Sequence, residues 1–150
     1  MQATNRRILE GLSPLYVQEL GLEESIQILL RNAQAQGPNI RFAASIDPRL
    51  NDIDGLLPQT TYRIVQECVT NVLRHARATR IDISAAIAGE EVAIEISDDG
   101  IGFASESAFG RGLTGMSERV RALNGTFELL RDRGTTLVRC RLPLEHGAAG

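Results

Sequence analysis

The most restrictive feature of this sequence is a change in hydrophobic period at residue 39. Before it, Leu22, Ile26, Leu29, Leu30 and Ala33 form one apolar stripe at helical spacing, and Gly37-Pro38 is a stop signal, so a helix is predicted over Leu22–Gln36. After it, Ile40, Phe42, Ala44 and Ile46 alternate with Asn39, Arg41, Ala43 and Ser45, as in a half-buried strand. Asp47-Pro48 ends that strand and a polar loop runs to about Pro58. A long helix follows over Thr60–Ala78, with Val65, Cys68, Val69, Val72 and Ala76 facing inward. Two strands come next, Arg80–Ala88 and Glu91–Asp98, joined by a tight turn at Gly89-Glu90. A Gly-rich loop then covers Gly100–Gly115, a helix runs from Thr114 to Leu123, and Gly125 lies beyond its end. The last strands, Thr126–Arg131 and Thr135–Leu142, turn at Asp132-Arg133-Gly134. Five strands and three main helices, with the strands in hairpins, predict an α/β two-layer sandwich. Its sheet is mixed and mostly antiparallel, with the helices on one face.

Composition narrows the chemistry. All 16 basic residues are Arg, and without Lys a Walker-type phosphate loop, a Schiff-base enzyme and the usual protein-kinase fold are excluded together. A net charge of −3 argues against a protein built to coat nucleic acid. No apolar run approaches the roughly 20 residues of a membrane span, and Met1–Glu10 lacks a signal-peptide core, so a soluble chain without membrane contact is expected. Cys68 and Cys140 each fall in an apolar pattern and read as reduced core residues. With only His75 and His146 beside them, a structural zinc site is disfavoured.

Three segments carry polar residues where an ordinary scaffold has no need of them. On the long helix, Glu67 and Asn71 are four apart, and Arg74 and His75 follow on the same face, opposite the apolar stripe. A carboxylate, a carboxamide and a guanidinium in one row can orient a nucleophile, bind a hard cation and hold a phosphate. In the second segment, Val92, Ile94 and Ile96 share one strand face and Asp98 continues their parity. The strand therefore aims a carboxylate at the apolar layer, which is tolerable only beside strong donors such as the exocyclic amine of adenine. Gly100 and Gly102 then allow the backbone to approach a flat ring. The third segment is Gly110-Arg111-Gly112-Leu113-Thr114-Gly115-Met116, running into a helix. Glycines before a helix start expose backbone N–H groups to a polyanion, and without Lys those amides and Arg111 would carry the phosphates. Each motif alone also fits a solvated helix face, a strand-end turn or a glycine linker.

Taken in order, the motifs resemble the GHKL (Bergerat-fold) ATPases. The stretch Tyr62-Arg63-Ile64-Val65-Gln66-Glu67, continuing to Asn71 and Arg74-His75-Ala76, is similar to the N box of two-component sensor histidine kinases of the nitrate- and hexose-phosphate-sensor subclass. Leu20-Gly21-Leu22, Gly115-Met116 with Glu118-Arg119-Val120, and Leu142-Pro143-Leu144 match that subclass too, and the resemblance covers roughly residues 12–144. It implies a cytoplasmic ATP-binding catalytic domain at 15–145, preceded by a remnant of an upstream dimerisation helix at 1–14 and followed by a disordered tail at 146–150.

The resemblance implies roles residue by residue. Asn71 would ligate Mg²⁺ and Glu67 would orient or polarise the attacking group, with Arg74 and His75 near the phosphates. Asp98 would bond the adenine amine and Gly100 and Gly102 would shape its pocket. Gly110, Arg111, Gly112, Leu113 and Gly115 would form the phosphate-facing end of a lid. On the last strand, parity favours Thr136 over Thr135, because it falls with Val138, Cys140 and Leu142. Seven residues separate Gly102 from Gly110, a short lid that fits the subclass. One departure matters: neither His75 nor His146 stands in a phosphoacceptor motif. The implied partners are therefore an upstream phosphoacceptor domain and a response regulator. Two other readings stay open, an anti-sigma-factor serine kinase and a non-catalytic nucleotide-binding module.

Overall fold

The computed structural model describes residues 13–53, 55–100 and 106–144, the side chains of 13–16, 75–76 and 106–113 excepted. Its elements are α1 (Ser13–Leu20), α2 (Leu22–Gln36), β1 (Arg41–Ile46), a 3₁₀ turn (Pro48–Asp52) and α3 (Leu56–Asn71), which continues as a π-helical segment (Val72–Ala76). They are followed by β2 (Arg80–Ala88), β3 (Glu91–Asp98), α4 (Glu106–Ala122), β4 (Thr126–Asp132) and β5 (Thr135–Pro143). The strands form one sheet in the order β1-β2-β3-β5-β4. Only β1 and β2 are parallel; every other neighbouring pair is antiparallel. Parallel neighbours need a crossover, and α3 is that crossover. The mixed sheet expected from the alternating period is therefore the one formed.

The period-two pattern explains which face is covered. On β3, Val92, Ile94 and Ile96 are buried, and on β5 Thr136, Val138, Cys140 and Leu142 are buried. Against them pack Ile26 of α2, Ile64, Val65 and Val69 of α3, and Val120 of α4. Each such side chain contributes about 1.5–3 kcal/mol when fully withdrawn from water. The opposite face carries charges that pair across strands, with Arg139 reaching Glu95 at 3.3 Å and Glu128 at 3.6 Å, and Arg141 reaching Glu91 at 3.4 Å. Exposed pairs add little stability but keep this face polar.

One departure from the expected elements involves proline. Pro58 was expected to end a loop, yet it lies in the first turn of α3, as Pro14 does in α1. A first-turn residue has no intrahelical acceptor for its N–H, so proline sits there without loss. Part of the expected polar loop is the 3₁₀ turn, capped by the Asp47 carboxylate accepting from Arg49 N at 3.0 Å. That carboxylate also accepts from Ile87 N at 3.2 Å, tying the end of β1 to β2. Residues 1–12 of the expected helix remnant (1–14) and the whole expected tail (146–150) lie outside the described residues.

Candidate functional site

α3 supplies the first polar group. Its apolar residues Val65, Cys68 and Val69 face the sheet as the stripe predicted. Asn71 ends the α-helical part, is 7% exposed, and its Nδ2 is the one buried side-chain polar atom without a hydrogen-bond partner among the described residues. A buried donor left unpaired costs about 1–3 kcal/mol, so this carboxamide suits a ligand that brings an acceptor. Glu67, one turn earlier, is half-buried. The expected continuous α-helix to Ala78 is corrected here: residues 72–76 form a π turn and Arg77 adopts a left-handed conformation at φ 50°. The wider i→i+5 turn changes the register beyond Asn71, so Arg74 and His75 do not follow it at α-helical spacing. Arg74 is exposed, and the His75 side chain lies outside the described residues.

β3 supplies the second group. Asp98 ends the strand on the buried parity and is paired in register with Thr136 of β5. Its Oδ1 accepts from Gly100 N at 2.9 Å, which closes the turn after the strand. Burial pushes the Asp98 carboxyl above the usual aspartate range and the like charge of Asp99 adds to that, against the Gly100 N–H and the Arg131 guanidinium, which lower it. Thr136 is 4% exposed whereas Thr135 is exposed, as parity predicted. Its Oγ1 accepts from Arg131 Nη1 at 3.5 Å, which leaves the hydroxyl proton to be donated elsewhere.

Charge at the helix–sheet interface joins these groups. The buried Cys68 thiol of α3 is pushed well up by desolvation, and further by Cys140, Glu67 and Asp98. The Asp98 charge on β3 therefore reaches the Cys68 position on α3. α3 packs on β2 and β3 and also against α4. Gly100 is buried in the turn and Gly102 lies outside the described residues.

The third motif is corrected. Gly110, Arg111, Gly112, Leu113 and Gly115 are not a loop leading to a helix start at Thr114; they lie inside α4, which begins at Glu106. The unpaired N–H groups of a helix belong to its first turn, so the expected anion site at the glycines is absent from this arrangement. Glycine is permissive rather than helix-breaking, and Met116 and Val120, both buried, anchor the same helix on the core. Around Gly115 an added Cβ would meet nothing within 4 Å.

Two participants were missed. Arg131 shares the inward parity of Phe127 and Leu129 on β4, a signal present in the alternation but not followed to its end. Asp99 bonds to Thr79, twenty residues earlier, which no local pattern announces. A metal ion would find no cage of its own: among the described residues no group of three or more His, Cys, Asp or Glu side chains could hold one. Mg²⁺ favours one or two protein oxygens completed by phosphates and water, so a single Asn71 oxygen fits a metal that arrives with its ligand. A shallow open depression between Ala43, Ser45, Asp82, Ser84 and Glu95 lies on the outer sheet face, away from Asp98.

Comparison with known proteins adds independent findings. Residues 57–146 match the family described as histidine kinase-, DNA gyrase B- and HSP90-like ATPase. The chain is 34% identical over 133 residues to the signal transduction histidine-protein kinase/phosphatase UhpB of Salmonella typhimurium, covering 87% of this chain and 26% of that protein. It is 31% identical over 139 residues to the sensor histidine kinase ComP of Bacillus subtilis, covering 86% and 17% respectively. The chain thus spans about a quarter or less of the length of these relatives. Among solved structures, the histidine kinase AdeS of Acinetobacter baumannii superposes with a TM-score of 0.64 at 15% identity, over 89% of this chain and 74% of that one. The blue-light activated histidine kinase of Erythrobacter litoralis EL346 gives 0.68 at 23% identity, over 96% and 55%. At such identities the two structures bear on the fold alone.

Proposed function

The chain belongs to the histidine kinase-, DNA gyrase B- and HSP90-like ATPase family, and from that premise we propose that it is the ATP-binding catalytic domain of a two-component sensor histidine kinase. In this reading it binds Mg-ATP and passes the γ-phosphoryl to a histidine on a separate dimerisation domain, from which a response regulator takes it. The observation that carries the reading is the buried Asn71 amide without an acceptor on α3, the helix packed on the strand that ends in the half-buried Asp98 carboxylate. Asp98 offers a half-buried carboxylate beside the Thr136 hydroxyl, and the Asn71 carboxamide on the helix above has a buried N–H without an acceptor.

Each residue then has a task. Asp98 accepts a hydrogen bond from the exocyclic amine of adenine, and the Thr136 hydroxyl donates toward a ring nitrogen. Gly100 and Gly102 let the backbone lie against the ring. The Asn71 oxygen would hold the metal, and its N–H would donate to a phosphate oxygen. Arg74 and His75 stand near the phosphates. Glu67 orients or polarises the attacking imidazole. Mg²⁺ bound there with the triphosphate would supply charge neutralisation at the phosphoryl oxygens. Phosphoryl transfer asks for little covalent help from protein side chains, so positioning and charge neutralisation suffice.

Titration calorimetry tests the proposal. Mg-ATP is expected to bind the chain, and chelation of Mg²⁺ is expected to weaken that binding. Asn71→Asp should upset the Mg²⁺ dependence while leaving the melting temperature close to that of the parent. Binding that is indifferent to both Mg²⁺ and Asn71 would defeat the metal assignment.

A further inference from the structure

The segment Asp98-Asp99-Gly100 contains a second carboxylate that nucleotide recognition leaves unused. Asp99 Oδ1 accepts from Thr79 N at 2.8 Å and from Arg80 N at 3.1 Å, and Oδ2 accepts from Thr79 Oγ1 at 2.5 Å. The Asp99 backbone N–H donates to Arg80 O at 3.4 Å. The carboxyl is held below its ordinary range, chiefly by the Thr79 hydroxyl. The neighbouring Asp98 carboxyl is shifted the other way, upward by burial.

The location of these bonds gives them meaning. Thr79 lies two residues beyond Arg77, where the π segment of α3 ends in a left-handed residue. Residues 77–80 are the covalent path from the Asn71 end of that helix into β2, and Thr79 O also accepts from Arg41 N of β1 at 2.9 Å. Asp99, on the other side, immediately follows Asp98 and precedes Gly100. One carboxylate therefore fastens the exit of the Asn71 helix to the turn that carries Asp98.

We propose that Asp99 is a positioning residue: its clasp on Thr79 and Arg80 holds the Asn71 end of α3 at a fixed spacing from the Asp98–Gly100 turn, the spacing that a nucleotide spans from base to phosphates. The inference rests on the nucleotide reading above. It also explains a run of two aspartates with separate tasks, one facing the ligand and one facing the chain.

The test compares Asp99→Ala, Asp99→Asn and Thr79→Val in the full chain, reading Mg-ATP affinity by calorimetry, thermal stability, and hydrogen exchange at the Thr79 and Arg80 amides. Asp99→Ala should weaken Mg-ATP binding about tenfold or more and speed exchange at both amides, since it removes every bond to an ionised acceptor. Asp99→Asn should bind within about threefold of the parent, because the carboxamide oxygen still accepts both N–H groups and Thr79 Oγ1 can accept from its NH₂. Thr79→Val, which keeps the shape and both backbone bonds, should fall between the two with nearly unchanged stability, and it decides the matter if Asp99→Ala does not fold. Should the parent bind Mg-ATP while folded Asp99→Ala or Thr79→Val binds it equally well, the clasp has no positioning role. Equal losses in Asp99→Asn and Asp99→Ala would also overturn it. If the parent itself fails to bind Mg-ATP, the nucleotide reading falls first and the clasp falls with it.

Discussion

Asp98 and Asp99 are one peptide bond apart, yet their surroundings push them in opposite directions. Burial raises Asp98, while the Thr79 hydroxyl and two backbone N–H groups lower Asp99. The pH consequences have opposite signs. Asp99 lends stability above the ordinary value of 3.8 that disappears as pH falls through its lower folded value, so Asp99→Asn should flatten the acid limb of the melting temperature below that pH. Asp98, with its raised folded value, favours the native state only at low pH and loses that contribution as pH rises. In the proposed adenine contact the carboxylate form of Asp98 is the one that accepts from the amine. Asp98→Asn should therefore weaken ATP binding by about 1–3 kcal/mol, because a carboxamide can present a donor to the adenine amine. Unchanged affinity in calorimetry would remove Asp98 from the adenine pocket. The cysteines are simpler: both are buried, and desolvation pushes the Cys140 thiol to about 12. A thiolate is the reactive form, so neither should react with a thiol-specific disulfide reagent until the chain unfolds.

At the scale of elements, the glycines around α4 separate two kinds of requirement. Gly115 sits in the helix with open space where a Cβ would be, so Gly115→Ala should stabilise the helix by up to about 1 kcal/mol. If ATP affinity falls while the melting temperature rises, Gly115 serves the ligand rather than the fold. Gly125 is the reverse case. A Cβ there would lie 2.3 Å from Arg141 O, and the left-handed residue after the helix is Asn124 at φ 66°. Gly125→Ala should cost about 1–3 kcal/mol in denaturant unfolding by forcing β5 away from the end of α4. Helix-stop chemistry predicted a glycine at this place, but the cause is close backbone approach rather than backbone handedness. The strands were more legible than the helices: β2 and β3 have the predicted bounds because period two admits one register once a face is buried. The start of α4 was misplaced because glycine reads as loop in a window, whereas a helix anchored by Met116 and Val120 can propagate back through it.

At the scale of the molecule, the chain matches an ATPase family over residues 57–146 and spans 26% of UhpB and 17% of ComP. Among the described residues no helix is long and apolar enough to cross a membrane. Neither histidine stands in a phosphoacceptor motif, so the chain should bind ATP without labelling itself from γ-labelled ATP. Label should instead appear on a separately supplied dimerisation domain carrying the acceptor histidine. Stable phosphohistidine on this chain would contradict that account.

Sequence alone determined what depends on near neighbours along the chain. Alternation decided which strand residues face inward and so placed Asp98 and Thr136 on the buried side, while the absence of Lys removed whole classes of phosphate site. Tertiary structure decided what depends on distant segments meeting. It set Asp98 opposite Thr136, packed α3 on β2 and β3, left the Asn71 amide without an acceptor, and turned Asp99 toward Thr79. Periodicity reports the direction of a side chain relative to its own element. Which groups share a low-dielectric space follows only from how the elements pack, and it is that sharing which shifts a carboxyl or leaves an amide in need of a partner.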